Sequence, residues 1–230
     1  MGDYQPSMPA EEVERIRRWH ENAYRMAVTA GSTAQSFAYL GRTIVVPPGV
    51  HPITGMSHLL GEAVLAEVRD TDRVLDMGTG TGVNAILAAG TAPSVVAVDI
   101  NPRALAAARA NADRNRVADR IEIRHSDVFG AVDGRFDLIV FDPPFRWFAP
   151  RDLLEAASAD RNYQALTRFF RSARQHLAPG GRMLVFFGTS GDLGYLRRLV
   201  AEHAFRSETL AQAELVKDGH RVEYFTFRLT

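Results

Sequence analysis

The sequence predicts an α/β fold: a central, mostly parallel seven-stranded sheet with a C-terminal antiparallel hairpin and an N-terminal helical cap. Three observations carry it. From about 73 to 199, short β-branched runs alternate with Ala-, Arg- and Leu-rich stretches of helical character. Most of these runs are apolar on both faces, as strands covered by helices on each side must be. The end of the chain departs from that alternation, with runs at 208–216 and 220–229 flanking Lys217-Asp218-Gly219 and Asp-Gly as a hairpin turn.

In chain order, an amphipathic helix is expected over about 9–28. A Gly41-turned strand pair ending in Val45-Val46-Pro47-Pro48 comes next, then a helix over about 55–68. Residues 1–70 are read as a helical cap and substrate lid, and 71–230 as the ligand-binding domain. The sheet strands are Val74-Leu75-Asp76-Met77, Val95-Val96-Ala97-Val98-Asp99, Ile121-Glu122-Ile123-Arg124, Phe136-Asp137-Leu138-Ile139-Val140-Phe141 and Arg182-Met183-Leu184-Val185-Phe186-Phe187. Helices over 83–90, 102–115 and 162–177 lie between them. Pro102 falls in a first helical turn, where a missing N–H is tolerated. Pro179-Gly180-Gly181 stops the last helix and turns the chain into the next strand.

The 230 residues can bury one substantial core, and 46% hydrophobic with 23% charged residues describes a soluble, cytoplasmic globular chain. Met1-Gly2-Asp3-Tyr4-Gln5-Pro6 lacks the basic-then-apolar order of a signal peptide. Without cysteine there are no disulfides or thiolate metal sites. His51 and His58 fit no common zinc spacing, so no metal is expected. The 27 basic and 27 acidic residues cancel, which argues against a long grip on a nucleic-acid backbone. Lys217 is the only lysine, a bias read as compositional.

The first sharp motif is Asp76-Met77-Gly78-Thr79-Gly80-Thr81-Gly82, where a strand passes into a helix. Glycines there permit positive φ and close approach of a ligand to the backbone. The dinucleotide fingerprint G-x-G-x-x-G would need glycine at Val83, so the loop is of another kind. Asp76 beside it disfavours a pyrophosphate and suits a cationic ligand bearing hydroxyl and amino groups. Asp99 closes the second strand, where an acid can accept both hydroxyls of a ribose. Asp127 follows the third strand and can accept from an adenine amino group. Singly, each reads as a solvated loop aspartate. Three successive strand ends of this kind point to a ligand.

The fourth strand runs straight into Asp142-Pro143-Pro144-Phe145. The two prolines fix the chain direction and offer no N–H, so the segment presents acceptors: the Asp142 carboxylate and the Pro143 carbonyl. A planar NH2 group can donate to both and stack on Phe145. As such a nitrogen becomes cationic during alkylation, Asp142 stabilises it more than in the ground state. The bland alternative is a rigid turn capping a strand.

These residues together resemble the class I S-adenosylmethionine (SAM)-dependent methyltransferases over roughly 74–187, and the terminal hairpin matches the last two strands of that Rossmann-like fold. The resemblance implies that Asp76, Gly78, Thr79, Gly80 and Gly82 hold the methionine part of SAM. Asp99 with Ile100 would meet the ribose, Asp127 with Val128 the adenine, and Asp142 would border cofactor and acceptor alike. Asp142, Pro143 and Phe145 become the catalytic candidates of a nitrogen methyltransferase. Within that class the tetrapeptide resembles the [N/D]-P-P-[Y/F] signature of the methyltransferase small domain and of HemK-type glutamine methyltransferases. It departs from the latter, which usually carry asparagine and tyrosine where Asp142 and Phe145 stand.

Pro144, Phe145, Trp147, Trp19 and Tyr24 are the candidate substrate-binding residues, the last two on an N-terminal helix that could close as an aromatic lid. The acceptor is expected to be an amino or amide nitrogen of a protein side chain or small molecule. The alternatives are guanine-N2 of ribosomal RNA, where Asp-Pro-Pro-Phe followed by arginine also occurs, transfer or cyclisation of the aminobutyrate arm of SAM, and SAM binding without catalysis.

Overall fold

The computed structural model describes residues 4–30 and 33–230; Met1-Gly2-Asp3, part of the N-terminal stretch read above, lie outside the described residues. Helix α1 (Ala10–Ala30) leads into a β1 (Gln35–Tyr39), β2 (Arg42–Val46) hairpin and helix α2 (His58–Glu67). The alternating region follows as β3 (Arg73–Met77), α3 (Val83–Ala88), β4 (Ser94–Asp99), α4 (Pro102–Arg114), β5 (Ile121–His125) and β6 (Phe136–Phe141). The chain then runs through α5 (Leu153–Ala156), α6 (Gln164–His176), β7 (Leu177–Gly188) and α7 (Leu193–Glu202) to β8 (Ser207–Lys217) and β9 (His220–Leu229).

Seven strands form one sheet in the order β5-β4-β3-β6-β7-β9-β8. β3 through β7 pair in parallel, while β9 runs antiparallel to both β7 and β8. The parallel part needs cover on both faces, and Leu138, Ile139 and Val140 of β6 are accordingly all fully buried. Phe136, Phe169, Phe170 and Phe187 fill the same core, a single cluster running from Ile16 of α1 to Leu229 of β9. The chain leaves β3 towards β4 and β5, then returns to add β6 on the other side of β3. That reversal opens a crevice at the C-terminal ends of β3, β4 and β6, where ligands of open α/β sheets gather.

The elements differ from expectation in detail. β7 makes its first rung at Leu177, and residues 178–181 bulge out between the Phe136 and Leu138 pairings, with Gly180 at φ +75°. α5 and α7 are additional helices. The β1–β2 hairpin is clamped to α4 by side-chain amides: Asn111 accepts from Val45 N at 2.9 Å and donates to Val45 O at 2.8 Å. Asn115 repeats the pattern at Thr43, at 3.1 and 2.9 Å. No helix among the described residues is long and apolar enough to cross a membrane.

Candidate active site

Beyond β3, Gly78, Gly80 and Gly82 take φ of +67°, +55° and +84°, a left-handed sequence that side-chain-bearing residues adopt only under strain. The loop is held from inside. Asp76 is buried, its carboxylate accepting from the Thr79 hydroxyl at 2.6 Å and from Ala85 N at 3.0 Å. Burial pushes its pKa up to about 7 against the pull of those two hydrogen bonds, and neighbouring Asp99 adds to the rise. Thr79 N donates to Val98 O at 2.8 Å, and Gly80 N to the Asp99 carboxylate at 2.9 Å.

Two of the glycines face open space. A Cβ on Gly80 would meet nothing within 4 Å, and one on Gly78 only a Phe141 ring atom at 3.8 Å. Gly82 is the reverse: a Cβ there would stand 3.0 Å from Ala108 Cβ and 3.1 Å from its Cα. Gly82→Ala therefore combines a left-handed alanine with overpacking against backbone, and is expected to destabilise the protein by about 2 kcal/mol. Urea denaturation checks this; an unchanged midpoint would show that α4 yields freely.

The open side of the loop borders a cavity of about 890 Å³. Gly78, Thr79 and Gly80 form one wall, with Asp99 and Ile100 from the end of β4 beside them. Asp127 and Val128 from the turn after β5 extend it, and Asp142, Pro143, Pro144 and Phe145 close it from β6. Asp99 already accepts from Gly80 N and, at 2.8 Å, from Asn101 N; burial raises its pKa. Ile100 leaves a large apolar side chain accessible at the cavity edge. Asp127 is about half exposed and is held 2.7 Å from Arg168.

Pairing of Met77 with Phe141 sets the first loop glycine and Asp142 side by side past their strands. Water reaches the Asp142 carboxylate through the cavity, yet protein surrounds it on its other sides. Burial first, and then the charge of Asp76, push its pKa up to about 7. Phe145 is packed at a tilt among aromatic rings, 4.9 Å from Phe187 and 5.6 Å from Phe186 by centroid. Its carbonyl accepts from the Tyr163 hydroxyl at 2.5 Å.

Five predicted residues are placed elsewhere. Asp76 and Gly82 build the loop rather than line the cavity. Trp147 is buried against Tyr4, Phe148 and Tyr163. Trp19 is buried, its indole N–H donating to Asp218 at 2.6 Å. Tyr24 donates to Asp152 at 2.7 Å under the Arg151 guanidinium. The aromatic residues of α1 thus fasten the helix to the β8–β9 turn and to the 151–155 segment. His20 completes that seam, 2.7 Å from Glu155.

The structure adds Arg146, Ser190 and Tyr224 to the cavity wall, and brings His51 fully into it. Burial, with Arg146 nearby, pushes the His51 pKa down to about 4. Tyr224 comes from the last strand and Ser190 from the turn after β7, far in sequence from any motif. Arg146 directly follows the Asp142-Pro143-Pro144-Phe145 tetrapeptide and was the one that local reading could have found.

Residues 43–214 match the model of the methyltransferase small domain. A release factor glutamine methyltransferase of Cereibacter sphaeroides is 38% identical over 144 residues, 56% of this chain and 50% of that protein. A ribosomal RNA small subunit methyltransferase C of Chromohalobacter salexigens is 33% identical over 182 residues, 76% of this chain and 50% of that one. The chain spans about half the length of these two relatives. Among solved structures, a T. Thermophilus 16S rRNA N2 G1207 methyltransferase in complex with AdoMet and guanosine superposes with a TM-score of 0.62 at 26% identity. That superposition covers 85% of this chain and 49% of the other. With the family match spanning well over half of its residues, the chain belongs to the methyltransferase small domain family of SAM-dependent class I methyltransferases.

Proposed function

We propose that this protein transfers the methyl group of SAM to an amino or amide nitrogen held against Asp142-Pro143-Pro144-Phe145. The observation that carries the reading is the Asp142 carboxylate, standing open in the cavity one strand away from the glycine loop. The residues fit the cofactor: the free faces of Gly78 and Gly80 leave room against backbone, and the carboxylates of Asp99 and Asp142 stand beside those glycines. Gly78, Thr79 and Gly80 would lie along the methionine part, with Asp76 holding the loop in shape. Asp99 would accept from the ribose hydroxyls, and Ile100, Asp127 and Val128 would border the adenine. When bound, SAM supplies an electrophilic methyl on a sulfonium centre.

The chain's own part is to orient and to stabilise charge. Pro143 and Pro144 remove two donors from the segment, so a planar nitrogen meets acceptors only. Asp142 becomes a better partner as positive charge grows on that nitrogen, which lowers the barrier and not merely the ground state. A cavity of about 890 Å³ lies near the upper end of small-molecule sites, with room for cofactor and a compact acceptor together. We assign 71–230 to the cofactor side, with 1–70 as the cap.

The test is incubation with methyl-labelled SAM and a cell extract, fractionated into protein, RNA and small molecules. Label is expected in the small-molecule or protein fraction, with S-adenosylhomocysteine as co-product. Label confined to RNA would move the acceptor to a guanine-type nitrogen. Methylthioadenosine in place of S-adenosylhomocysteine would show loss of the aminobutyrate arm and overturn methyl transfer.

A further inference from the structure

The cavity carries two opposite electrostatic patches, and only the acidic one is used above. The other centres on Arg146, which shares the cavity wall with His51, Ser190 and Tyr224. Its Nε is buried without a hydrogen-bond partner among the described residues, and so is the Ser190 hydroxyl. Burial holds the guanidinium pKa below its ordinary value, and the groups acting on it besides are the Tyr224 and Tyr163 phenols, with no carboxylate among them. Its positive field in turn reaches His51, His20 and Lys217, each of which it makes harder to protonate.

Arg182, also buried, is matched by Asp72 at 2.9 Å and Glu67 at 3.2 Å. Arg15 shares a buried, unpartnered Nε but keeps Glu12 at 3.5 Å, whereas Arg146 has no carboxylate within ion-pair distance among the described residues. Burying a cation without a partner is costly, and the cost is relieved when an anion arrives. Guanidinium offers a planar fork that fits carboxylate or phosphate through two parallel hydrogen bonds. The free Ser190 hydroxyl supplies one more donor on the same wall.

The geometry points to Arg146 as the residue that reads a negatively charged group, a carboxylate or phosphate, on a small-molecule methyl acceptor. This rests on the methyltransferase reading above and narrows its substrate class. Arg146 lies four residues from Asp142, so their Cα atoms are at most about 14 Å apart, and both line the same cavity. A compact acceptor can therefore present its nitrogen to one and its charge to the other. A neutral glutamine side chain of a protein does not satisfy the cation; a compact amino acid, aminobenzoate-like or nucleotide-like molecule does.

Calorimetry on protein saturated with S-adenosylhomocysteine tests this with matched probes: 4-aminobenzoate against aniline, and guanosine monophosphate against guanosine. At least one anion is expected to bind the wild type about tenfold or more tightly than its neutral twin, as a desolvated charge pair gives. The carboxylate and phosphate arms tell the two anion types apart. Arg146→Gln should erase that preference and Arg146→Lys keep part of it, while S-adenosylhomocysteine affinity and thermal midpoint stay unchanged. The inference is overturned if both twins bind alike, if no anion binds up to millimolar concentration, or if Arg146→Gln keeps the preference. A loss seen in S-adenosylhomocysteine affinity instead would give Arg146 to the cofactor's own carboxylate and overturn it too. Failure of the wild type to bind S-adenosylhomocysteine at all would strike the methyltransferase reading itself, a separate result.

Discussion

Asp142→Ala is expected to lower methyl-transfer turnover by about two to three orders of magnitude, the usual cost of removing a preorganised group aimed at developing charge. S-adenosylhomocysteine affinity should stay within about threefold, because the loop and Asp99 are untouched. Single-turnover assays beside calorimetry separate the two effects; a fully active variant removes Asp142 from the mechanism. The same residue sets a pH dependence. With its pKa pushed up to about 7, the free enzyme holds Asp142 partly protonated at neutral pH. Only the ionised form accepts a second donor and faces a nascent cation, so turnover should climb from pH 6 to pH 8.

Stability should move the other way. A carboxyl whose folded pKa lies above its unfolded value favours the fold below about pH 4, and that contribution is lost as pH rises through about 7. Asp142→Asn is then expected to be more stable than wild type at pH 8, with the gap clearly narrower at pH 5. Because water reaches the group through the cavity, about 1 kcal/mol is a fair size after screening. Urea melts at the two pH values give the sign directly. A carboxylate proposed to serve the reaction is thus kept at a cost in stability.

The elements that sequence reading placed correctly are those whose causes are local. Asp218-Gly219 makes the β8–β9 turn where Asp-Gly says it must, with Gly219 at φ +77° and Asp218 at φ +52°. The loop glycines, Asp99 and Asp142 are legible because strand ends and glycine spacing are written in adjacent residues. Trp19 and Tyr24 were misplaced for the opposite reason. Their partners, Asp218 and Asp152, stand 199 and 128 residues away, and no helical period reports a contact of that range. Asp76 shows a subtler gap. Its position beside the loop was right, yet whether a carboxylate faces the ligand or the loop depends on Thr79 and Ala85 competing for it. The unpaired state of Arg146 is a property of what surrounds it in space, which no local pattern carries.

Asp99→Ala is expected to weaken SAM binding by about tenfold to a hundredfold. Hydrogen bonds to a charged acceptor contribute about 1.5–3 kcal/mol, and about 1.4 kcal/mol is a factor of ten. Two losses combine here. The ribose hydroxyls lose their acceptor, and Gly80 N and Asn101 N lose the carboxylate that now fixes the loop against the end of β4. Asp99→Asn distinguishes them, since an amide keeps one oxygen for a backbone N–H but presents a donor where the second hydroxyl would bond. If the ribose contact dominates, asparagine falls close to alanine in calorimetry with SAM. If loop support dominates, asparagine recovers much of the affinity and the alanine variant alone loses thermal stability. Unchanged affinity in both would place the ribose away from β4. The glycines would then face a ligand oriented differently across the sheet.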